Sequence, residues 1–255
     1  MRQVFIVAME AEADAVKRHL SGMLKFEECG RTVYQGRFGE EETAVVVAGV
    51  GKVNAAAATQ YAIDHFAPER IVNVGVAGGI DPKMNIADVF EVTKCFQCDF
   101  DLSSINQTPK GTPNEYTTPW FELDPLDRKT ASVQQQDGSA ASAARDQSSA
   151  AASAASEATA GVRRQVAGVV ATGDFFANEN TDRGFIYDEM GATLREMELG
   201  AIAHVCKRAG VRCSALKAVS DVNYPGCPPP AEQYPVNLRK AVDALAVAVE
   251  GCRGI

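Results

Sequence analysis

The chain has 255 residues and a formal net charge of −8, a length that supports one full hydrophobic core. The acidic balance, with no basic stripe, excludes a nucleic-acid partner, whose phosphates demand a basic surface. Seven cysteines scattered over the chain form an odd set that fits reduced thiols in the cytoplasm and not a disulfide framework.

The first apolar run, Val4-Phe5-Ile6-Val7-Ala8-Met9, reads as a buried parallel strand, with Glu10 and Glu12 following at once. Ala11 to Leu20 is expected to be helical, and 25–29, 31–38 and 42–48 to be short strands between glycine-containing turns. The alanine-rich stretch from Lys52 to Phe66 predicts a helix that stops before Pro68, and 70–76 a further buried strand. A strand-like run over 88–96, an irregular polar stretch over 103–118, a strand over 166–171 and a helix near 181–190 follow. A strand–helix–strand unit ends in Ala-Leu-Lys-Ala-Val-Ser-Asp (215–221), and an apolar-faced helix over 238–249 closes the chain.

Thr130 to Gly161 breaks this order, because Ala, Ser and Gln dominate it and large apolar residues are nearly absent. Such a segment cannot build a core, so it is expected to be an insertion outside the core of a single domain spanning 1–255. The N-terminal apolar run ends at Glu10, too short for a signal-peptide core or a membrane span, which predicts a soluble cytoplasmic protein with no membrane partner.

Cys95-Phe96-Gln97-Cys98 matches C-x-x-C, but it closes a strand, where i and i+3 face opposite sides, and no second pair exists. His19, His65 and His204 have no partner at ligand spacing, so no metal and no cofactor is expected. Gly49-Val50-Gly51-Lys52-Val53-Asn54 lacks the last glycine of a dinucleotide fingerprint and the flanking residues of a P-loop. Gly75-Val76-Ala77-Gly78-Gly79 ends a buried strand, where a glycine lets a ligand approach the backbone; a tight turn explains the glycines equally well.

The acids at strand ends carry more information. Glu10 and Glu12 follow the first strand, Glu196-Met197-Glu198 stand where a strand runs into an apolar helix, and Ser220-Asp221 end the last strand. In open α/β sheets ligands bind outside the carboxyl ends of the strands. Each acid alone reads as a helix N-terminal charge complementing the dipole; Glu12, Glu198 and Asp221 gain a second reading because they recur together.

The motifs Val7-Ala8-Met9-Glu10-Ala11-Glu12, 49–55, 73–79, Thr172-Gly173-Asp174-Phe175-Phe176-Ala177-Asn178, Glu196-Met197-Glu198 and Val219-Ser220-Asp221 together resemble the 5′-methylthioadenosine/S-adenosylhomocysteine nucleosidases. Order and spacing match across most of the chain outside 102–165 and 222–234. The resemblance implies a nucleoside phosphorylase-like α/β fold, a three-layer α/β/α sandwich around a mixed, partly closed central sheet. It implies hydrolysis of the N-glycosidic bond of 5′-methylthioadenosine, S-adenosylhomocysteine or both, releasing adenine and a 5-substituted ribose.

By the same resemblance Asp221 is the acid that protonates adenine N7, Ser220 orients it, and Glu12 is the base for the nucleophilic water. Glu198 is expected to accept from the ribose hydroxyls, Met197 to lie under the sugar, Phe176 to stack on adenine, and the backbone of Ala177 to read the adenine edge. Gly78, Val76, Met9 and Glu196 fall within the matching motifs and join the expected substrate-binding set, with Tyr234 as a lid over the 5′ substituent. Val76 stands where some relatives have serine. Asp99 and Asp101 keep the family pattern, while Ile105 and Gln107 occupy places where relatives often carry aromatics reaching the neighbouring subunit, so a homodimer with a loosened 5′ end is expected. Two rivals stand beside this reading. A phosphate-dependent phosphorylase is disfavoured because Glu10 and Glu12 would repel a dianion. A catalytically silent nucleoside-binding or storage protein is disfavoured by the intact acids.

Overall fold

Ten strands form one mixed sheet in the computed structural model, which describes residues 1–126, 164–177, 182–250 and 252. The predicted insertion over 130–161 lies outside the described residues. Strand β1 (Gln3–Val7) pairs in parallel with β4 (Glu41–Val47) on one side and β5 (Arg70–Gly79) on the other. Every residue of β1 and β5 is buried, as expected of parallel strands covered on both faces. Beyond β4 the sheet continues through β3 (Arg31–Phe38) to the edge strand β2 (Leu20–Glu28), both antiparallel.

On its other side the sheet closes on itself. Strand β10 (Arg212–Val222) pairs with both β5 and β6 (Val89–Gln97), and β6 leads through β8 (Arg164–Thr172) and β9 (Leu194–Glu196) back to β5. The short strand β7 (Phe121–Glu122) adds to β6. Five strands, β5 among them, thus close into a ring, and the expected partly closed sheet is present.

Helices cover both faces. Helix α1 (Glu10–Lys17) and the long C-terminal helix α5 (Pro230–Glu250) bury Val16, Val242 and Leu245 against one face. Helix α2 (Lys52–Phe66) and α4 (Leu199–Ala209) bury Tyr61, Leu199 and Ile202 against the other. Each fully buried Leu or Ile side chain contributes about 1.5–3 kcal/mol. Helix α2 ends at Ala67, in the left-handed region at φ 41°, and Pro68 prevents its continuation. The polar stretch over 103–118 holds one short helix, α3 (Ser103–Asn106), and the helix expected near 181–190 is a π-helical segment, Asp182–Glu189.

Two departures from a regular strand shape the site. The β10–β5 register skips between Val219 and Asp221, so Ser220 is the extra residue of a β-bulge. Successive residues of a regular strand point to opposite faces, whereas a bulge re-aims them, and both Ser220 and Asp221 line one cavity. The second departure is the early end of β9, where Glu198 becomes the N-cap of α4.

Candidate active site

A cavity of about 190 Å³ opens at the carboxyl ends of β1, β5, β9 and β10. It brings together Glu12, Glu198, Ser220 and Asp221, with Met9, Val76, Gly78, Phe176, Met197 and Tyr234 also in its wall. Ala177 adjoins Phe176 but is not part of the wall among the described residues.

Glu12 lies in the first turn of α1 and is 3 % exposed. Its Oε2 accepts the backbone N–H groups of Ala8 (2.9 Å) and Met9 (3.0 Å), and its Oε1 that of Val76 (2.8 Å). Burial raises its pKa, against the lowering pull of Lys217 and these three amides. Gly75 makes the placement possible, because a Cβ there would stand 2.7 Å from Glu12 Oε1.

Asp221 is 2 % exposed. Its Oδ1 accepts from Ser220 Oγ at 2.8 Å, while Oδ2 is buried without a partner. Burial raises its pKa and Asp182 adds to the rise, while Ser220 and Arg195 act against it. With Oδ1 occupied as an acceptor, a proton on this carboxyl group belongs on Oδ2.

The two remaining carboxylates differ in kind. Glu196, expected to bind substrate, is part of the cavity wall, and both its oxygens also accept hydrogen bonds within the protein. Oε1 accepts from Thr172 Oγ1 (2.5 Å), and Oε2 accepts from the N–H groups of Glu198 (3.0 Å) and Leu199 (2.8 Å) and from Lys217 Nζ (2.9 Å). It therefore caps the N-terminus of α4, satisfying donors the helix itself leaves unpaired. Glu198 makes one such contact, accepting from Gly51 N–H at 2.7 Å. Its pKa is pushed up to about 8 by burial and by Glu196, despite Lys217.

The Gly49–Asn54 motif now has a physical account. Gly51 holds φ 98° as N-cap of α2, a conformation glycine adopts without steric penalty. It turns its own amide toward Glu198 and that of Lys52 toward Asp174 Oδ1 (2.8 Å). Asp99 ties the same loops together, pairing with Lys52 Nζ at 2.6 Å and accepting from Asp174 N–H at 2.9 Å. Asp101 instead accepts from the Ser103 N–H and hydroxyl, and Ile105 is 75 % exposed.

Sequence reading passed over two buried cations. Lys217 sits mid-strand in β10, 1 % exposed; burial lowers its pKa, but Glu196, Glu198 and Glu12 together hold it above the ordinary value. A lysine inside an apolar strand was itself the signal, since a buried charge needs partners. Arg195, 4 % exposed in β9, pairs with Asp182 and reaches the cavity wall. At the rim, Phe176 is 44 % exposed, and the Tyr234 ring meets it edge-on at 5.9 Å while its hydroxyl points to Met9 Sδ at 3.1 Å. No group of side chains suited to a metal ion occurs among the described residues, and no described helix is long and apolar enough to cross a membrane.

Comparison with known proteins matches residues 2–252 to the phosphorylase superfamily. The 5′-methylthioadenosine/S-adenosylhomocysteine nucleosidase of Treponema pallidum is 31 % identical over 226 residues, covering 86 % of this chain and 80 % of that protein. Among solved structures, the nucleosidase of the same description from Colwellia psychrerythraea, in complex with adenine, superposes with a TM-score of 0.78 at 22 % identity, covering 100 % of this chain and 95 % of that one. The futalosine hydrolase of Helicobacter pylori superposes with a TM-score of 0.76 at 21 % identity, over 98 % and 97 % of the two chains. At these identities the two structures establish the shared fold.

Proposed function

This chain belongs to the phosphorylase superfamily and, within it, to the 5′-methylthioadenosine/S-adenosylhomocysteine nucleosidases, and we propose on that footing that it hydrolyses the N-glycosidic bond of 5′-thioadenosines, releasing adenine and a 5-thio-substituted ribose. The observation that carries the assignment of roles is the Asp221 carboxyl group. It is buried, with one oxygen bound by Ser220 and the other unpartnered at the wall of a cavity that also holds Glu12.

Purine departure needs a proton on the base and a nucleophile at the anomeric carbon, the two-carboxylate logic of glycoside hydrolysis. Asp221 delivers its Oδ2 proton to N7 as the C1′–N9 bond breaks and its electron pair moves into the base. Glu12 takes a proton from the water whose oxygen forms the new bond to C1′. The raised pKa of Asp221 keeps the acid protonated at higher pH. Lys217 and three amides favour the anion of Glu12 against its burial.

Glu198 faces the ribose hydroxyls, Met197 lies against the sugar, and Phe176 stacks on the base beside the backbone of Ala177. Tyr234, with Met9 and Val76, borders the 5′ end, and Gly78 leaves space for Asp221. Phosphorolysis is disfavoured because the amides of Ala8, Met9 and Val76, which an oxyanion would use, already serve Glu12.

A homodimer finishes the site in this reading. Val53 and Ile105, 79 % and 75 % exposed, stand on segments joined by the Lys52–Asp99 ion pair, next to Val50 in the cavity wall. Such side chains together favour a covering partner. Adenine release from 5′-methylthioadenosine in phosphate-free buffer tests the assignment; dependence on phosphate, or binding without release, would reject it.

A further inference from the structure

We propose that Arg195 presents a fixed donor to position 6 of the purine, so that 5′-thionucleosides of 6-oxopurines are substrates alongside those of adenine. The inference rests on the nucleosidase reading and extends it to a second base class. Arg195 Nε donates to Asp182 Oδ2 at 3.1 Å and Nη1 to the Phe175 carbonyl at 2.8 Å. Asp182 is itself held by Asn223 Nδ2 at 2.7 Å. Two of the three guanidinium nitrogens are thereby pinned, which fixes the plane of the fork. Nη2 is the nitrogen left over, on a residue that lines the cavity.

Its position is set by Gly78. A Cβ on that glycine would stand 2.8 Å from Asp221 Oδ2 and 3.7 Å from Arg195 Nη2, so the proton donor and the guanidinium flank the same point of the wall. The guanidinium carbon is 5.6 Å from the Phe176 ring centre, the ring assigned to stack on the base. On a purine, N7 and the substituent at C6 share one edge. In 6-oxopurines both are acceptors, whereas adenine offers an acceptor at N7 and an N–H₂ donor at C6. A base that takes the Asp221 proton at N7 brings its C6 substituent toward Nη2, and a cation with only N–H groups matches oxygen there. Bond changes are those of the adenine reaction: N7 gains the Asp221 proton, C1′–N9 breaks, and water supplies the new C1′–O bond.

The test compares 5′-methylthioadenosine with its 6-oxo counterpart, 5′-methylthioinosine, on the wild-type protein, Arg195→Met and Arg195→Lys. The wild type is expected to cleave the 6-oxo nucleoside with kcat/KM within about tenfold of the adenine one. Arg195→Met should lower the 6-oxo to 6-amino ratio about tenfold or more, with Arg195→Lys intermediate. A purely structural Arg195 would lower both substrates together and leave the ratio unmoved, which overturns the proposal. So does a wild type that cleaves only the adenine nucleoside. Failure to cleave either would instead reject the nucleosidase reading, and the inference with it. If the variants do not fold, product inhibition of the wild type decides: hypoxanthine must inhibit within about tenfold of adenine, and weaker inhibition overturns the proposal.

Discussion

Gly78 and Asp221 are register partners across the β5–β10 pairing, and the side chain that Gly78 lacks would press against the Asp221 carboxylate, its Cβ only 2.8 Å from Oδ2. The glycine was expected to let a ligand approach the main chain; within the protein it gives a carboxyl group its room. Gly78→Ala should therefore displace Asp221 and depress turnover strongly, while overpacking destabilises the fold by only about 1–3 kcal/mol. Parallel measurement of adenine release and of the urea midpoint checks this, and an alanine variant with wild-type turnover would refute it.

Asp221→Asn should lose about 10²–10⁴-fold in kcat and keep nucleoside affinity largely intact, because a proton donor acts on the transition state more than on the ground state. Ser220→Ala, which frees Oδ1 of its hydrogen bond, should lose less. Single-turnover kinetics with a separate binding titration distinguishes the two effects, and equal losses in affinity and rate would contradict the assignment.

Glu12→Gln should be inactive and also less stable. The carboxylate accepts three backbone N–H groups, and the amide of Gln turns one acceptor oxygen into a donor facing an N–H, at about 1–3 kcal/mol for the group left unsatisfied. Denaturant unfolding of the variant measures that loss directly, and unchanged stability would show that the three amides find other partners.

Glu198 carries the clearest dependence on pH. Its folded pKa is about 8 against an ordinary 4.5, so between those values the folded chain retains a proton that the unfolded chain releases. Its contribution to stability is whole below the ordinary range and is lost as pH rises toward 8. Comparing urea midpoints at about pH 5 and about pH 8, Glu198→Gln should reduce the decline seen in the wild type. For turnover, raised pKa values of Glu12 and Asp221 predict a bell, rising as Glu12 loses its proton and falling as Asp221 loses its own.

Val53→Glu should yield a monomer with impaired activity, since a charge at an exposed apolar position penalises burial against a partner. Sedimentation of both proteins at assay concentration is the check. A wild type that is fully active as a monomer would remove the shared site.

Most strands and the helix Lys52–Phe66 were legible because their apolar patterns match the periods of a buried strand and an amphipathic helix. Strand β2 was legible only in its second half, over 25–29: it begins at Leu20, where the first helix was expected to run on, and it mostly faces solvent, so hydrophobicity gives no mark of its start. Helix α5 begins at Pro230, ahead of its apolar stretch, because proline fits a first helical position and leaves no apolar signal there.

What the sequence determined by itself is the set of reactive groups and their order: Glu12 after the first strand, Glu196 and Glu198 at a strand–helix junction, and Ser220-Asp221 at the end of the last strand. Tertiary structure alone decided their division of labour. Glu196 and Glu198 are chemically identical and two residues apart, yet one is saturated by Thr172, two amides and Lys217 and the other accepts a single amide. The bulge at Ser220 turns neighbours of a strand onto one cavity, and Lys217 and Arg195 become parts of the site only because the sheet closes on itself. Those outcomes depend on which amides and charges lie within hydrogen-bond reach after folding, and a linear order of side chains carries no distances between residues far apart in the chain.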